Sequence, residues 1–242
     1  MSEQVNNAFY DELGEQWYHG DRHAIGLLRA ESGIKLDFVR RHLSAGQKVL
    51  DVACGGGLVA NPLAKEGFSV TGVDLSENSL KVARDQGVPG TEFLHGNAFD
   101  LPLESDSFDA VLLMDFLEHV DDPGRVLAEG ARVLKPGGKL MFSTFNRNWA
   151  SRLLAIEALR WFPESPPNVH VYELFLKPKE VESFARECGL EPLEFRGSIP
   201  KFFSWPFWSS VFKRRVHQDF SFVYTDSLRV GYMGCFQKKL VH

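Results

Sequence analysis

The stretch Lys48-Val49-Leu50-Asp51-Val52-Ala53-Cys54-Gly55-Gly56-Gly57 is a short apolar run closed by glycines. That pattern predicts a strand buried on both faces, entering a turn and then a helix over Leu58 to Gly67. Glycine at the turn lets the backbone come close to a ligand, and the N-terminus of the next helix offers unpaired amides and a positive dipole end. Outward from this point, Ser69 to Val73 reads as a second strand closing on Asp74. Ser76 has the chemistry of an N-cap for a helix over Glu77 to Gln86, which Gly87-Val88-Pro89-Gly90 stops. Thr91 to Leu94 is a third strand, and Phe108 to Met114 a strongly apolar fourth behind the turn residues Glu104-Ser105-Asp106-Ser107. A helix from Pro123 to Leu134 ends at Lys135-Pro136-Gly137-Gly138, and Lys139 to Thr144 follows as a fifth strand. Strands alternating with helices at this interval imply a parallel, doubly wound α/β sheet.

The alternation breaks after Asn146. Trp149 to Phe162 has the pattern of an amphipathic helix, followed by a proline-rich loop from Pro163 to Pro167. Lys179 to Cys188 resumes a helix, Glu191 to Phe195 a strand, and Ser227 to Gln237 the last strand. Between them, Ile199 to Phe220 crowds Phe202, Phe203, Trp205, Phe207, Trp208 and Phe212 beside Lys201 and Lys213-Arg214-Arg215. The expected fold is therefore α/β, Rossmann-like and doubly wound. Its sheet is mainly parallel and seven-stranded with an antiparallel C-terminal strand, and residues 147–170 and 199–220 are cap or lid insertions on a single domain spanning 1–242. Such segments either pack as a cap or meet a membrane surface, because aromatics beside cations suit an interface.

With 242 residues and 44% hydrophobic composition, one substantial core is available. A formal charge of -5 argues against nucleic acid as a partner. Cys54, Cys188 and Cys235 lie far apart, so neither a disulfide framework nor a CxxC metal site is indicated, and a reducing compartment is expected. The polar, acidic stretch Met1 to Tyr10 lacks the form of a secretory signal, and no run reaches the roughly 20 apolar residues needed to span a bilayer. The expected location is cytoplasmic, with peripheral membrane contact left open by the aromatic insertions.

The glycine loop alone fits several nucleotide-like ligands; without a Walker lysine it is not a P-loop. Asp74, at the end of the second strand, is placed to accept from both hydroxyls of a ribose, as in either an NAD or an S-adenosylmethionine site. The remaining segments separate the two: Gly96-Asn97-Ala98, Leu101-Pro102, Asp106-Ser107-Phe108-Asp109, Leu117-Glu118-His119-Val120 and Leu134-Lys135-Pro136-Gly137-Gly138. In this order, from about Lys48 to Phe145, they resemble the motifs of class I S-adenosylmethionine-dependent methyltransferases. The resemblance implies S-adenosylmethionine as cofactor, with Asp51 under the methionine amino group and Ala53, Cys54, Gly55 and Gly57 around methionine and ribose. It further implies Asp74 and Leu75 on the ribose, Asn97 and Ala98 beside adenine, and Met114 closing the pocket. Ala53 stands where the family commonly has glycine, which is tolerable at negative φ; Asn97 stands where it often has aspartate.

Met114-Asp115-Phe116-Leu117-Glu118-His119-Val120, Phe142-Ser143-Thr144-Phe145-Asn146-Arg147-Asn148, Phe175-Leu176-Lys177-Pro178 and Gly231-Tyr232-Met233 carry a closer likeness. They resemble the ubiquinone-biosynthesis O-methyltransferases, which methylate hydroxyls of polyprenylated phenols. By that resemblance residues 1–45 form a helical segment over the cofactor. His23 and Arg29 fit this segment, Arg29 reaching the cofactor carboxylate where it is not simply a solvated helix residue. A small aromatic or prenylated molecule is the implied substrate, with another small molecule or lipid, or cofactor binding without catalysis, as the alternatives. His119 or Glu118 is the implied general base. Asp115, Glu118 and His119 match an acid, acid and histidine set associated with a divalent cation such as Mg²⁺, and i, i+3, i+4 spacing on a helical turn would bring them onto one face. The plainer alternative has His119 shaping the pocket floor and the acids solvated at a helix start.

Overall fold

The computed structural model describes residue 6, residues 8–22 and residues 24–240. Three N-terminal helices, α1 (Ala8–Glu12), α2 (Gln16–His19) and α3 (Ala24–His42), precede the alternating half. That half runs β1 (Lys48–Val52), α4 (Ala60–Lys65), β2 (Ser69–Asp74), α5 (Glu77–Asp85), β3 (Glu92–His95), β4 (Phe108–Met114), α6 (Pro123–Val133) and β5 (Leu134–Phe145). The remainder comprises α7 (Trp149–Arg152), α8 (Pro178–Glu187), β6 (Leu190–Pro200), α9 (Trp205–Lys213), β7 (Phe222–Thr225) and β8 (Gly231–Lys238), with short 3₁₀ and π turns between.

Among the described residues the strands form one sheet in the order β3-β2-β1-β4-β5-β8-β6-β7. Pairings from β3 to β5 are parallel, and those among β5, β8, β6 and β7 are antiparallel. Strand order reverses between β1 and β4, so the crevice at their carboxyl ends is the place where this class of sheet receives a ligand. Alternation along each strand divides the core into two layers. Leu50 and Val52 with Val111 and Leu113 face one layer, and Val49 with Ala110 and Leu112 the other. The N-cap of α5 forms as its sequence predicts, with Ser76 Oγ accepting from the Ser79 amide at 3.0 Å.

The sheet has one strand more than expected. β6 continues to Pro200, and β7 pairs with that extension from Gly197↔Thr225 to Pro200↔Phe222. The last strand correspondingly begins at Gly231 rather than Ser227. β5 starts at Leu134, because Lys135 to Gly138 is absorbed as an irregularity between Phe108↔Leu134 and Ala110↔Lys139. The Trp149 to Phe162 helix is broken: α7 passes into a π turn over Leu153–Glu157 and a 3₁₀ turn over Ala158–Trp161. The Ala155 carbonyl in that π turn accepts from His170 Nδ1 at 2.8 Å. Close packing of β8 on β5 depends on Gly234, opposite Phe142 in register; a Cβ there would sit 2.3 Å from the phenyl ring.

Immediately after β1, Ala53 has φ of 56°, so the negative φ at which alanine would be tolerated without strain is not the one it adopts. The turn into Cys54 needs a left-handed residue, and Ala53 adopts that conformation at a cost of about 1–2 kcal/mol for a side chain bearing Cβ. Glycine relieves that strain but adds about 0.4–1 kcal/mol of unfolded-state entropy. Ala53→Gly is therefore expected to raise stability by up to about 1 kcal/mol, read as a higher urea midpoint with unchanged slope. A lower midpoint would count against strain at this residue.

Candidate active site

A cavity of about 1020 Å³ opens at the carboxyl ends of β1 and β4. At one end its wall is built from the strand ends: Asp51 within β1 and Ala53, Cys54 and Gly55 after it, Asp74 closing β2 and Leu75 after it, Asn97 and Ala98 after β3, and Met114 at the end of β4. Asp74 holds the loop together, since Oδ2 accepts from the Gly55 amide and Oδ1 from the Ser76 amide, both at 2.8 Å. Asn97 Oδ1 accepts from the Phe99 amide at 2.9 Å, which leaves its side-chain NH₂ to donate elsewhere. Burial, reinforced by the neighbouring Asp74 carboxylate, pushes Asp51 up to about 7. Burial also raises Asp74, against the backbone amides of Ser76 and Gly55 that favour its charge.

Some of the residues singled out in the sequence stand apart from this wall. Gly57, at φ 79°, faces inward, where a Cβ would meet Asn61 Nδ2 at 2.7 Å and Ala83 at 3.1 Å. Arg29 donates to the carbonyls of Trp17 at 3.3 Å and Gly20 at 2.6 Å, tying α3 to α2. His23 lies outside the described residues. Gly55 and Gly56 make room for the chain itself: a Cβ on either would lie within 2.5 Å of the Trp17 indole, whose Nε1 donates to Ser79 Oγ at 3.3 Å. Tyr18 OH adds a hydrogen bond to the Gly56 carbonyl at 2.8 Å. No periodicity or motif in the sequence marks Trp17 for this contact.

The second polar region centres on Lys35, a lysine 1% exposed on α3. Its ammonium pairs closely with Asp115 and lies 3.4 Å from Glu31 Oε2; Glu31 Oε1 in turn accepts from Ser198 Oγ at 3.1 Å. Asp115 has φ of 50°, its amide donating to the Ser143 carbonyl at 3.1 Å and its Oδ1 accepting from Ser143 Oγ at 2.7 Å. Burial alone would raise the Asp115 carboxyl, but the Lys35 ammonium outweighs it and holds the group below its usual value. Leu117–His119 is a 3₁₀ turn, so Asp115 is not on a helical turn with Glu118 and His119, contrary to the expected single face. The left-handed Asp115 starts a change of direction, and its side chain goes to Lys35.

Glu118 is fully buried behind the cavity wall, with Oε2 accepting from Thr144 Oγ1 at 2.7 Å. Burial, with Asp115 nearby, pushes its carboxyl up to about 8. His119 lines the cavity, and burial followed by the neighbouring His170 pushes its imidazole down to about 3, which keeps it neutral. Among the described residues Glu118, His119 and His170 are the acid and imidazoles whose donor atoms lie within 4.8 Å of one another. Lys35, Glu31 and His170 are missing from the residues that the sequence singles out. A Glu31/Lys35 pair at i, i+4 looks like an ordinary solvated helix pair, and His170 sits in a stretch without a pattern.

The same cavity is also lined by apolar residues of the two insertions, with Leu154, Ala158 and Leu159 from one and Phe202, Phe207 and Val211 from the other. They are joined by Trp161 Nε1 donating to the Val211 carbonyl at 2.6 Å and Arg214 Nε to the Trp161 carbonyl at 2.9 Å. Outside, Phe203, Trp205 and Phe212 are 100%, 70% and 75% exposed. Among the described residues no helix is long and apolar enough to cross a membrane.

A methyltransferase domain model matches residues 50–142. Proteins named ubiquinone biosynthesis O-methyltransferase are similar over most of their length. That of Chromobacterium violaceum is 41% identical over 188 residues, covering 75% of this chain and 80% of its own. That of Hydrogenovibrio crunogenus is 33% identical over 244 residues, covering 98% and 91%. Among solved structures, an S-adenosylmethionine-dependent methyltransferase of Thermotoga maritima, described as a possible histamine N-methyltransferase, has the same fold. It superposes with a TM-score of 0.65 at 24% identity, covering 96% of this chain and 99% of that one. A cavity at the switch point of a Rossmann-like sheet thus coincides with extensive identity to these enzymes, and the chain belongs to the ubiquinone biosynthesis O-methyltransferase family of S-adenosylmethionine-dependent methyltransferases.

Proposed function

We propose that the chain transfers the methyl group of S-adenosylmethionine to a hydroxyl of a quinone-ring precursor bearing a polyprenyl tail. The observation that carries this reading is the lining of the cavity, which joins the strand-end residues to apolar residues of the aromatic insertions. In this reading Asp51 faces the methionine amino group, Asp74 the ribose, and Asn97 and Ala98 the adenine. Ala53, Cys54, Gly55, Leu75 and Met114 give the cofactor its shape, while Gly57 and Arg29 act by holding the loop and the N-terminal helices.

The ring hydroxyl meets His119, whose neutral imidazole can accept a hydrogen bond and so orient the hydroxyl, although burial leaves it too weak a base to keep the proton; Glu118 sits behind it. Most of the acceleration comes from holding the hydroxyl oxygen in line with the methyl group. The sulfonium charge disappears in the transfer, so a chamber poor in water also favours the transition state. The implied Mg²⁺ does not fit Asp115, Glu118 and His119. The Asp115 carboxylate is spent on Lys35 and Ser143, while Mg²⁺ demands near-ideal octahedral oxygen coordination.

The exposed aromatics of 199–220 and the cations Lys201, Lys213, Arg214 and Arg215 form the membrane-facing side of the cap in this proposal, letting a prenyl tail enter from the bilayer. Each such cation contributes about 1 kcal/mol near an anionic surface.

Purified chain with labelled S-adenosylmethionine is expected to methylate a prenylated hydroxyphenol and to leave unrelated amines and carboxylates unmodified. The reverse preference would sink the acceptor assignment. Asp74→Ala is expected to lower cofactor affinity about ten- to a hundredfold, the worth of a lost charge-assisted hydrogen bond, in calorimetry on protein whose circular dichroism is unchanged.

A carboxyl raised to about 7 is largely protonated below that pH in the free protein. Binding a cationic amino group there must release the proton, so cofactor affinity is expected to rise from pH 6 to 7.5 and Asp51→Asn to flatten the rise. Calorimetry in buffers of different ionisation enthalpy reads the proton directly; no release would remove Asp51 from this role.

The chain is also expected to co-sediment with phosphatidylglycerol vesicles, less so at high salt and less so as the Phe203→Ser, Trp205→Ser double variant. Equal sedimentation of the variant would show that the aromatics serve only as a cap.

A further inference from the structure

An oxygen that takes on negative charge inside a protein needs a fixed donor beside it. The described residues lining the cavity include two cations, Lys35 and Arg125. Arg125 lies over the Phe99 ring at 5.4 Å, and the Phe99 amide is tied to Asn97, so it belongs to the part of the wall assigned to adenine. Lys35 is 1% exposed, yet it lines the cavity together with Glu31, Asp115 and Ser198. An ammonium has three hydrogens, and among the described residues its partners are Asp115 and, at 3.4 Å, Glu31 Oε2. One donor is left over at the cavity wall. Packing alone does not call for it, since a buried ion pair is often no more stable than apolar side chains of the same volume.

We propose that Lys35 is an acceptor-binding residue, whose remaining N–H donates to the oxygen that receives the methyl group and favours the phenolate form of that oxygen. This role rests on the reading of this part of the cavity as the place of the acceptor hydroxyl. Around the ammonium stand Glu31 on the same helix, Asp51 in β1, Asp115 after β4, Glu118 in the 3₁₀ turn and His170 at the end of the first insertion. Burial alone would lower Lys35, but Asp115 and Glu31 outweigh it and keep the ammonium charged, so it acts as a donor and not as a base. Burial pushes Asp51 up to about 7 and Glu118 up to about 8, and raises Glu31. Asp115 is then the carboxylate that most opposes a phenolate. Ser143 Oγ donates to one of its oxygens at 2.7 Å and Lys35 to the other, which engages the carboxylate and fixes the ammonium in place.

The neighbouring imidazoles do not duplicate this role. Burial, with a contribution from the Lys35 charge, lowers His170, and burial with His170 holds His119 down to about 3. Both stay neutral and neither keeps the acceptor proton. In the transfer that proton goes to water, the freed oxygen pair forms the carbon–oxygen bond, and the carbon–sulfur pair stays on sulfur. Lys35 keeps its own proton throughout.

The test reads ionisation directly. The full chain, treated with chelator and desalted, is titrated over a range of pH with 4-nitrophenol, whose phenolate absorbs visible light, in the absence of methyl donor. Lys35→Gln is expected to make the bound probe about ten- to a hundredfold harder to ionise than in the unsubstituted chain, the worth of a charge-assisted hydrogen bond. Lys35→Arg, which keeps the charge, is expected to stay within the same order of magnitude. Asp115→Asn, which removes the opposing carboxylate, is expected to ease ionisation, whereas damage to a purely structural pair would move both single variants the same way. Circular dichroism checks folding; where Lys35→Gln does not fold, the Lys35→Gln, Asp115→Asn double variant is compared with Asp115→Asn, and the probe is again expected to be harder to ionise without the ammonium. Equal ionisation with and without the Lys35 ammonium overturns the assignment, as does a shift of Lys35→Gln and Asp115→Asn in one direction, or a chain that takes up no phenolate. Because no methyl transfer is read, a chain that ionises the probe through Lys35 but methylates no hydroxyphenol would fail the proposed function and keep this role. A chain that methylates hydroxyphenols but ionises the probe equally in Lys35→Gln would do the reverse.

Discussion

A buried ammonium organises the site. Lys35 brings a charge into the space between α3 and the end of β4, where it pairs with Asp115 and lies beside Glu31. Taking charges out of water is expensive, and removing one partner of a buried pair commonly costs about 3–5 kcal/mol. The pair therefore sets geometry more than it adds net stability. It fastens α3 to the end of β4 at Asp115, whose left-handed backbone turns the chain at once into the 3₁₀ segment that buries Glu118 and presents His119.

The two ends of the cavity follow different physics. At the strand ends, backbone amides freed by the parallel topology are gathered by Asp74, and Trp17 fills the space that Gly55 and Gly56 provide. At the other end the wall comes from chain inserted outside the alternating pattern and held by a few directed contacts, such as Trp161 to Val211 and Arg214 to Trp161. The π turn connects them: its Ala155 carbonyl orients His170, so the position of the cap and the arrangement of the polar cluster are linked through one hydrogen bond. Such turns recur where a helix gives up regularity for a functional contact.

The parallel strands and most of their helices were legible because both signals are local. A run such as Val49 to Val52 followed by glycines specifies a buried strand and a turn whatever lies elsewhere. β7 was not legible, since four residues form a strand there only because β6 extends far enough to pair with them. The Trp149 to Phe162 segment has a helical pattern, but its π and 3₁₀ turns depart from regular α-helix where the distant His170 bonds to Ala155. Ala53 shows the same limit at one residue: its left-handed φ is imposed by the turn between β1 and Cys54, not by its own preference.

By itself the sequence determined the doubly wound architecture, the switch-point loop, Asp51, Asp74 and Asn97 at the strand ends, and the resemblance to methyltransferases, because these depend on residue type and spacing along the chain. Only the tertiary structure decided which polar groups meet. Lys35 took Asp115 away from Glu118 and His119, and His170 came in from 51 residues beyond His119 in sequence. Burial makes the difference: inside the protein a charge or an imidazole must find its partner in space, and periodicity along the chain does not encode that meeting.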